Sequence, residues 1–533
     1  MAIKRKIFHG IMAMILLLAV SCEEPLVKLT RPEVDMSNTD FIDLKDNYFE
    51  LRGEKFFPVI LNYIVSYRNI NDEFILSPYL DYEEVGVFES NTKEEIEEQL
   101  RGHFQLIKEM GFNTIRLCFD RVSQNDSTCL YYADGKKFFI NTDYEQILTG
   151  LETLVDIAGE KDLKIMLLVA PPWRCKSLED FTVRIFEKFK DNPVIFAYDL
   201  MNEPLYFDTI EDKKEIYRVV SYWQKMVYDY APNQLFTIGF AEPIEVHKWD
   251  PAFLPVDFVA FHTYHPLRVK SEIYWYSTYV GKPWMIGETA LPADNDSISY
   301  DDQANFMREV YQYVVDCGGA GFGWWDFQEA VHGNFEAQFT GILNHEGTTT
   351  TQDGKHTIIG TIKPAAQEIL HFSEYVSKDK VRPVNYFNMI GYHNYVIHGQ
   401  IINKQTKQPV EGAVIRGWTK GWIGQNTYTD ENGMFTLFSN DECIHFEISA
   451  PGMTKIKFKK KLDYHQIADD IFDRDNLPNQ YLEYHSICYK PFLKDSAISV
   501  FDFDESKFKQ AKFKADMSDL YLLPIYKKQK IIK

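Results

Sequence analysis

The stretch Ile195-Phe196-Ala197-Tyr198-Asp199-Leu200-Met201-Asn202-Glu203-Pro204 is almost wholly apolar and then turns abruptly polar. It reads as a strand buried on both faces over Ile195–Met201, which delivers Asn202 and Glu203 into a loop. Pro283-Trp284-Met285-Ile286-Gly287-Glu288-Thr289 has the same form and ends in Glu288. Six further runs, Phe56–Asn62, Asn113–Phe119, Lys164–Ala170, Leu235–Phe240, Asp257–His262 and Gly321–Asp326, bring the number of candidate strands to eight. Amphipathic stretches lie between them, at Glu94–Met110, Tyr144–Ala158, Lys214–Tyr228 and Gln303–Val315.

Apolar strands alternating with amphipathic helices make a parallel sheet covered by helices. Eight such units across residues 41–378 predict an α/β fold, a closed (β/α)₈ barrel. A doubly wound open sheet is the alternative. It would want a glycine-rich turn after its first strand, and Asn62-Tyr63-Ile64-Val65-Ser66 holds no glycine.

The pattern changes beyond a linker at 379–394. Short alternating strands and tight turns follow over 395–533, which predicts a small all-β sandwich with an insertion. The turns Pro409-Val410-Glu411-Gly412-Ala413 and Thr429-Asp430-Glu431-Asn432-Gly433-Met434-Phe435 resemble those of the carboxypeptidase-regulatory-like module over roughly 395–455. Leu520-Tyr521-Leu522-Leu523 would supply a closing strand, and Thr348–Thr351 reads as a surface loop. Trp418 and Trp422 are expected to pack in the small domain or at its interface with the barrel.

At the N-terminus, Lys4-Arg5-Lys6 precedes an apolar run from Ile11 to Val20 and then Leu18-Ala19-Val20-Ser21-Cys22. This resembles a bacterial lipoprotein signal, in which the cysteine becomes the lipidated first residue. The resemblance implies a signal at 1–22, lipidation at Cys22, a tether at 23–40 and a body held on a cell-envelope membrane by that anchor alone. The formal net charge of -21 opposes nucleic-acid binding. None of the six cysteines after Cys22 forms a CxxC pair, so no metal site is expected.

In a (β/α)₈ barrel, chemistry sits where strands end. The strand ends here carry Arg116, Trp173, Asn202 and Glu203, His262 and Tyr264, Glu288, and Trp325 with Asp326. Two carboxylates at one rim provide what cleavage of a glycosidic bond needs: a proton donor and a nucleophile or base. The pair Glu242-Pro243 after the fifth strand lacks the preceding asparagine and is set aside.

Gly111-Phe112-Asn113-Thr114-Ile115-Arg116-Leu117, Asn202-Glu203-Pro204, His262-Thr263-Tyr264 and Gly287-Glu288 together resemble the clan A glycoside hydrolases, and within them the cellulase-like family 5, over roughly 300 residues. The resemblance implies Glu203 as acid/base and Glu288 as nucleophile, with Arg116 and Tyr264 holding Glu288 ionised. Asn202 would meet the sugar 2-hydroxyl, His262 would line the site, and Trp325 and Trp173 would stack on sugar faces. It implies a carbohydrate substrate, double displacement and no cofactor. Leu168-Val169-Ala170-Pro171-Pro172-Trp173 departs from the family, which usually ends its third strand in a histidine. A non-catalytic carbohydrate-binding lipoprotein and a transglycosylase are the rival readings.

Overall fold

The computed structural model describes residues 26–32, 39–71, 73–78, 92–119, 130–133, 136–139, 144–169, 176–207, 210–264, 266, 268–296, 298–329, 339–344, 348–352, 355–359, 361–383, 395–418, 425–439, 443, 445–459 and 521–522. Eight parallel strands follow one another around a barrel: β1 (Val59–Ile70), β2 (Thr114–Phe119), β3 (Lys164–Leu168), β4 (Ile195–Asn202), β5 (Leu235–Phe240), β6 (Val259–His262), β7 (Trp284–Glu288) and β8 (Phe322–Trp324). Sequential neighbours pair from β1 to β7, and β8 pairs back onto β1. The seam between β7 and β8 is bridged by hydrogen bonds from Ala320 N to Trp284 O, 2.8 Å, from Ile286 N to Gly321 O, 3.3 Å, and from Trp325 N to Thr289 O, 3.0 Å.

Period-two alternation explains why these strands are apolar almost throughout. Leu61, Ile115, Leu117, Ile165, Leu167, Phe236, Ile238, Phe261 and Ile286 belong to one core cluster beneath the helices. Ile60, Met166, Ala197, Leu235, Ala260 and Met285 fill the barrel interior in another. The covering helices are α1 (Lys93–Glu109), α2 (Tyr144–Glu160), α3 (Lys176–Phe189), α4 (Lys213–Tyr230), α5 (Val269–Tyr279), α6 (Tyr300–Asp316) and α7 (Ala365–Leu370). Capping boxes start two of them, Thr92 with Glu95 on α1 and Ser299 with Asp302 on α6. Among the described residues no helix is long and apolar enough to cross a membrane.

Three features differ from the sequence reading. The sequence reading ends the first strand at Asn62. Instead β1 runs on to Ile70 and turns at Asn71 (φ 53°) into an antiparallel partner, Glu73–Pro78. Thr348–Thr351 is not a loop. It lies in the strand Thr348–Gln352, paired with Lys355–Ile359, as suits a run of β-branched residues. Third, Ile42–Lys45, Tyr48–Leu51 and Glu54–Phe56 form an antiparallel meander. Its Ile42 and Phe49 join the interior cluster, where Phe49 meets Phe196 and Phe258 edge-on. This meander closes the end of the barrel opposite the strand termini.

Beyond the barrel lie two small antiparallel sheets. One pairs β9 (Tyr395–Gln400) with β12 (Met434–Ser439). The other orders β11 (Gln425–Tyr428), β10 (Val414–Trp418), β13 (His445–Ser449) and β14 (Ile456–Lys459). They share a core of Ile397, Ile415, Phe435, Leu437, Phe446 and Ile448. Tyr521–Leu522 pairs with Ile402–Asn403. Val414 and Tyr428 pack into the barrel's own cluster, and Trp275 Nε1 donates to Gly412 O at 2.9 Å.

Candidate active site

Arg116 organises the rim. It is fully buried on β2, and alternation turns it into the barrel. Its Nε donates to Asp199 Oδ2 at 2.8 Å and its Nη2 to Asn202 Oδ1 at 2.8 Å. Nη1 reaches Asn62 Oδ1 at 3.0 Å and also binds Glu288 Oε1. Burial works against the guanidinium charge, but the adjoining Cys118, Asp199 and Glu288 offset it and raise the pKa. Burial pushes the neighbouring Cys118 thiol up to about 12. Asn62 sends its amide to Gly287 O, 3.0 Å, and Trp324 O, 2.9 Å, tying β1 to β7 and β8.

Glu288 ends β7 with 4% of its side chain exposed, and both oxygens are engaged: one by Arg116, the other by the Tyr264 hydroxyl. Burial, then Glu288 and Glu203, raises the Tyr264 phenol well above 10, so it stays a donor. Glu203 follows β4, whose register with β5 shifts between Asp199 and Asn202. That shift, a left-handed backbone at Glu203 (φ 43°) and a bond from Glu203 N to Gly239 O at 2.7 Å bring the side chain to the rim, 19% exposed.

His262 stands between the two carboxylates, with Nδ1 3.0 Å from Glu203 Oε1 and 3.4 Å from Glu288 Oε1. Its ring fits a slot made by glycines on both neighbouring strands. A Cβ on Gly239 or Gly287 would come within 2.9 or 3.0 Å of Nε2. Burial, reinforced by Arg116, lowers the imidazole pKa to about 4, so the ring is neutral near pH 7.

One oxygen from each carboxylate and a nitrogen of His262 lie within 4.8 Å of one another. This spacing could admit a metal ion, but the charge of Arg116 on Glu288 opposes a second cation there. The geometry instead offers two carboxyl groups side by side, one anchored and one more exposed.

The structure thus gathers Arg116, Asn202, Glu203, His262, Tyr264 and Glu288 at one mouth. Trp325 follows β8 and is half-buried at the same end of the barrel. Trp173 and Cys22 lie outside the described residues. Asn62 and Asp199 escaped the sequence reading because each sits inside an apolar run. Asp199 also accepts from Gly239 N at 2.8 Å. Glu242, set aside earlier, stands at this rim, where Arg268 Nη1 lies 3.2 Å from both of its oxygens. Buried Glu245 receives Leu205 N at 2.7 Å and Ala241 N at 2.8 Å, locking the loops after β4 and β5 together.

Residues 80–330 match the family model Cellulase (glycosyl hydrolase family 5). The match spans the strand ends of β2 to β8 and leaves the small sheets outside it. No curated protein matches the chain. Among solved structures, an endo-1,4-beta-mannanase from Rhizomucor miehei is 14% identical with a TM-score of 0.40, covering 56% of this chain and 93% of that one. The exo-beta-1,4-mannosidase Op5Man5 from Opitutaceae bacterium strain TAV5 is 16% identical with a TM-score of 0.44, covering 62% of each chain. An endo-beta-1,4-mannanase from Thermotoga petrophila is 13% identical with a TM-score of 0.39, covering 80% of this chain and 99% of that one.

Proposed function

We propose that the chain is a retaining glycoside hydrolase of the family 5 type, cleaving β-linked poly- or oligosaccharides by double displacement. The observation that carries this reading is the spacing of Glu203 and Glu288, whose nearest oxygens lie within 4.8 Å. Retaining pairs sit about 5–5.5 Å apart, whereas inverting pairs leave about 6.5–9.5 Å for a water. The match of residues 80–330 to the family model supports the same class.

In this reading Glu288, fixed by Arg116 and Tyr264, attacks the anomeric carbon. Glu203 gives its proton to the departing oxygen, then takes one from the water that releases the glycosyl group. Its greater exposure suits exchange with leaving group and water. Asn202, oriented by Arg116, meets the 2-hydroxyl. His262 bridges the two carboxyl groups and limits how Glu203 can turn. Trp325 and Trp173 are assigned to sugar stacking. We also place the protein on a cell-envelope membrane through lipid at Cys22, on the strength of the 1–22 signal pattern.

The test is a panel of neutral β-glucan, β-mannan, xylan and β-galactan, offered to protein made without residues 1–22. Cleavage of at least one polymer is expected, with turnover lost by orders of magnitude in Glu288→Gln. Binding of a polymer without turnover would favour the non-catalytic binder. Equal turnover by wild type and Glu288→Gln would refute the assignment.

A further inference from the structure

We propose that Tyr206, Glu242 and Arg268 form the wall that receives the leaving-group sugar, and that this wall selects a neutral pyranose. The inference rests on the hydrolase reading, in which Glu203 protonates the departing oxygen. Whatever leaves must then lie beside Glu203, on the side of the loops that carry it.

Those loops are built for the purpose. Tyr206 sits on the helical turn Pro204–Phe207, immediately after Glu203, and its N–H donates to Glu203 O at 2.9 Å. The residue is 37% exposed, one of the few large apolar residues left open among the described residues. The hydroxyl points to Glu242 Oε1 at 3.4 Å. Arg268, from the loop before α5, holds Glu242 from the far side at 3.2 Å. The wall therefore runs from the loop after β4 across the loop after β5 to that after β6. It is rigid, because the bonds of Glu245 to Leu205 and Ala241 and of Tyr276 to Ala241 O, 2.8 Å, fix its backbone. A ring to lie against, a carboxylate to accept hydroxyl protons and a guanidinium to donate are the groups that bind a pyranose.

The charges argue for a neutral one. Arg268 is already paired with Glu242, and Arg116 is buried and shared between Asp199 and Glu288. A uronate carboxylate placed here would face Glu203 and Glu242. Glu272 beneath the wall adds no further charge near neutral pH, since burial, then Glu242, pushes it to about 8.

The test compares two substrates that differ only at the leaving group. These are the β-1,4-linked gluco-, manno- and xylotetraoses and the β-glycobiosyl fluorides of the same sugars, whose fluoride is too small to touch the wall. For the sugar that is turned over, the ratio of kcat/KM for tetraose to that for fluoride should fall about ten- to a hundred-fold in Tyr206→Ala and in Glu242→Ala. Tyr206→Phe, which keeps the ring, should hold the ratio within about threefold, because stacking on the ring face does not need the hydroxyl. An unchanged ratio in both alanine variants, or an equal loss on the two substrates, would overturn the wall while leaving the hydrolase reading in place. No turnover by the wild-type protein of any fluoride or tetraose, or of any polymer in the panel above, would overturn both.

Discussion

His262 shows how one side chain is fixed by the shape of its neighbours. Its slot exists because Gly239 and Gly287 have no Cβ, and its burial keeps the ring neutral. A pKa of about 4 in the folded state, against an ordinary value of 6.5, means that the unfolded chain takes up the proton first. The stability this ring contributes is complete above pH 6.5 and is lost as pH falls toward 4. Over that window wild type should lose about 1.4 kcal/mol more per pH unit than His262→Gln. Denaturant unfolding at pH 6.5, 5.5 and 4.5 measures this, and parallel slopes would contradict it. His262, Tyr264 and the two glutamates were legible because each ends an apolar run or follows one within two residues. Asn62 and Asp199 were not, since a polar residue within such a run looks like an interruption. Only the register of β1, β2 and β4 reveals that both face Arg116.

Among the elements, the eight strands were legible because strands buried on both faces are apolar at most positions. What could not be read was how the last strand meets the seventh. β8 is three residues long, and Gly323 lets it approach β7 closely. A Cβ there would lie 2.2 Å from Gly287 O and 3.0 Å from Ile286 O. Gly323→Ala should therefore destabilise the fold by about 1–3 kcal/mol or more and, by shifting Gly287, disturb Glu288. Gly102→Ala, in α1 with open space around it, should instead stabilise by about 0.5–1 kcal/mol. Urea unfolding of the two variants checks both signs. If Gly323→Ala were as stable as wild type, the close seam would be wrong. The Glu73–Pro78 strand went unread because its buried residues, Ile75 to Pro78, follow one another without the alternation that marks a half-buried strand.

For the whole molecule, the small sheets are not a loosely attached spacer. Lys213, at the start of α4, is buried with Asp250 at 2.8 Å, and its ammonium also reaches Ser449 Oγ at 2.7 Å and Met453 O at 2.8 Å. Gly452 N donates to the same Asp250 at 2.8 Å. Lys213→Met leaves a buried carboxylate without its cation, and about 3–5 kcal/mol of stability should go with it. A change under about 0.5 kcal/mol in urea unfolding, the range of ordinary surface substitutions, would mean that this junction does not couple the parts. Sequence alone showed that small sheets follow the barrel, but not this contact, because Lys213-Lys214 at a helix start looks like surface. The N-terminal meander was hidden for a related reason: Ile42 and Phe49 find their partners only once the barrel has closed.

The central claim, that Glu203 and Glu288 act together across one mouth, is tested most directly by the configuration of the first product. Proton NMR of the anomeric signal, followed from the start of hydrolysis of the polymer or oligosaccharide that the protein cleaves, reads it before mutarotation. The account predicts that the β-anomer appears first. Initial release of the α-anomer would mean that water attacks directly, and would contradict it.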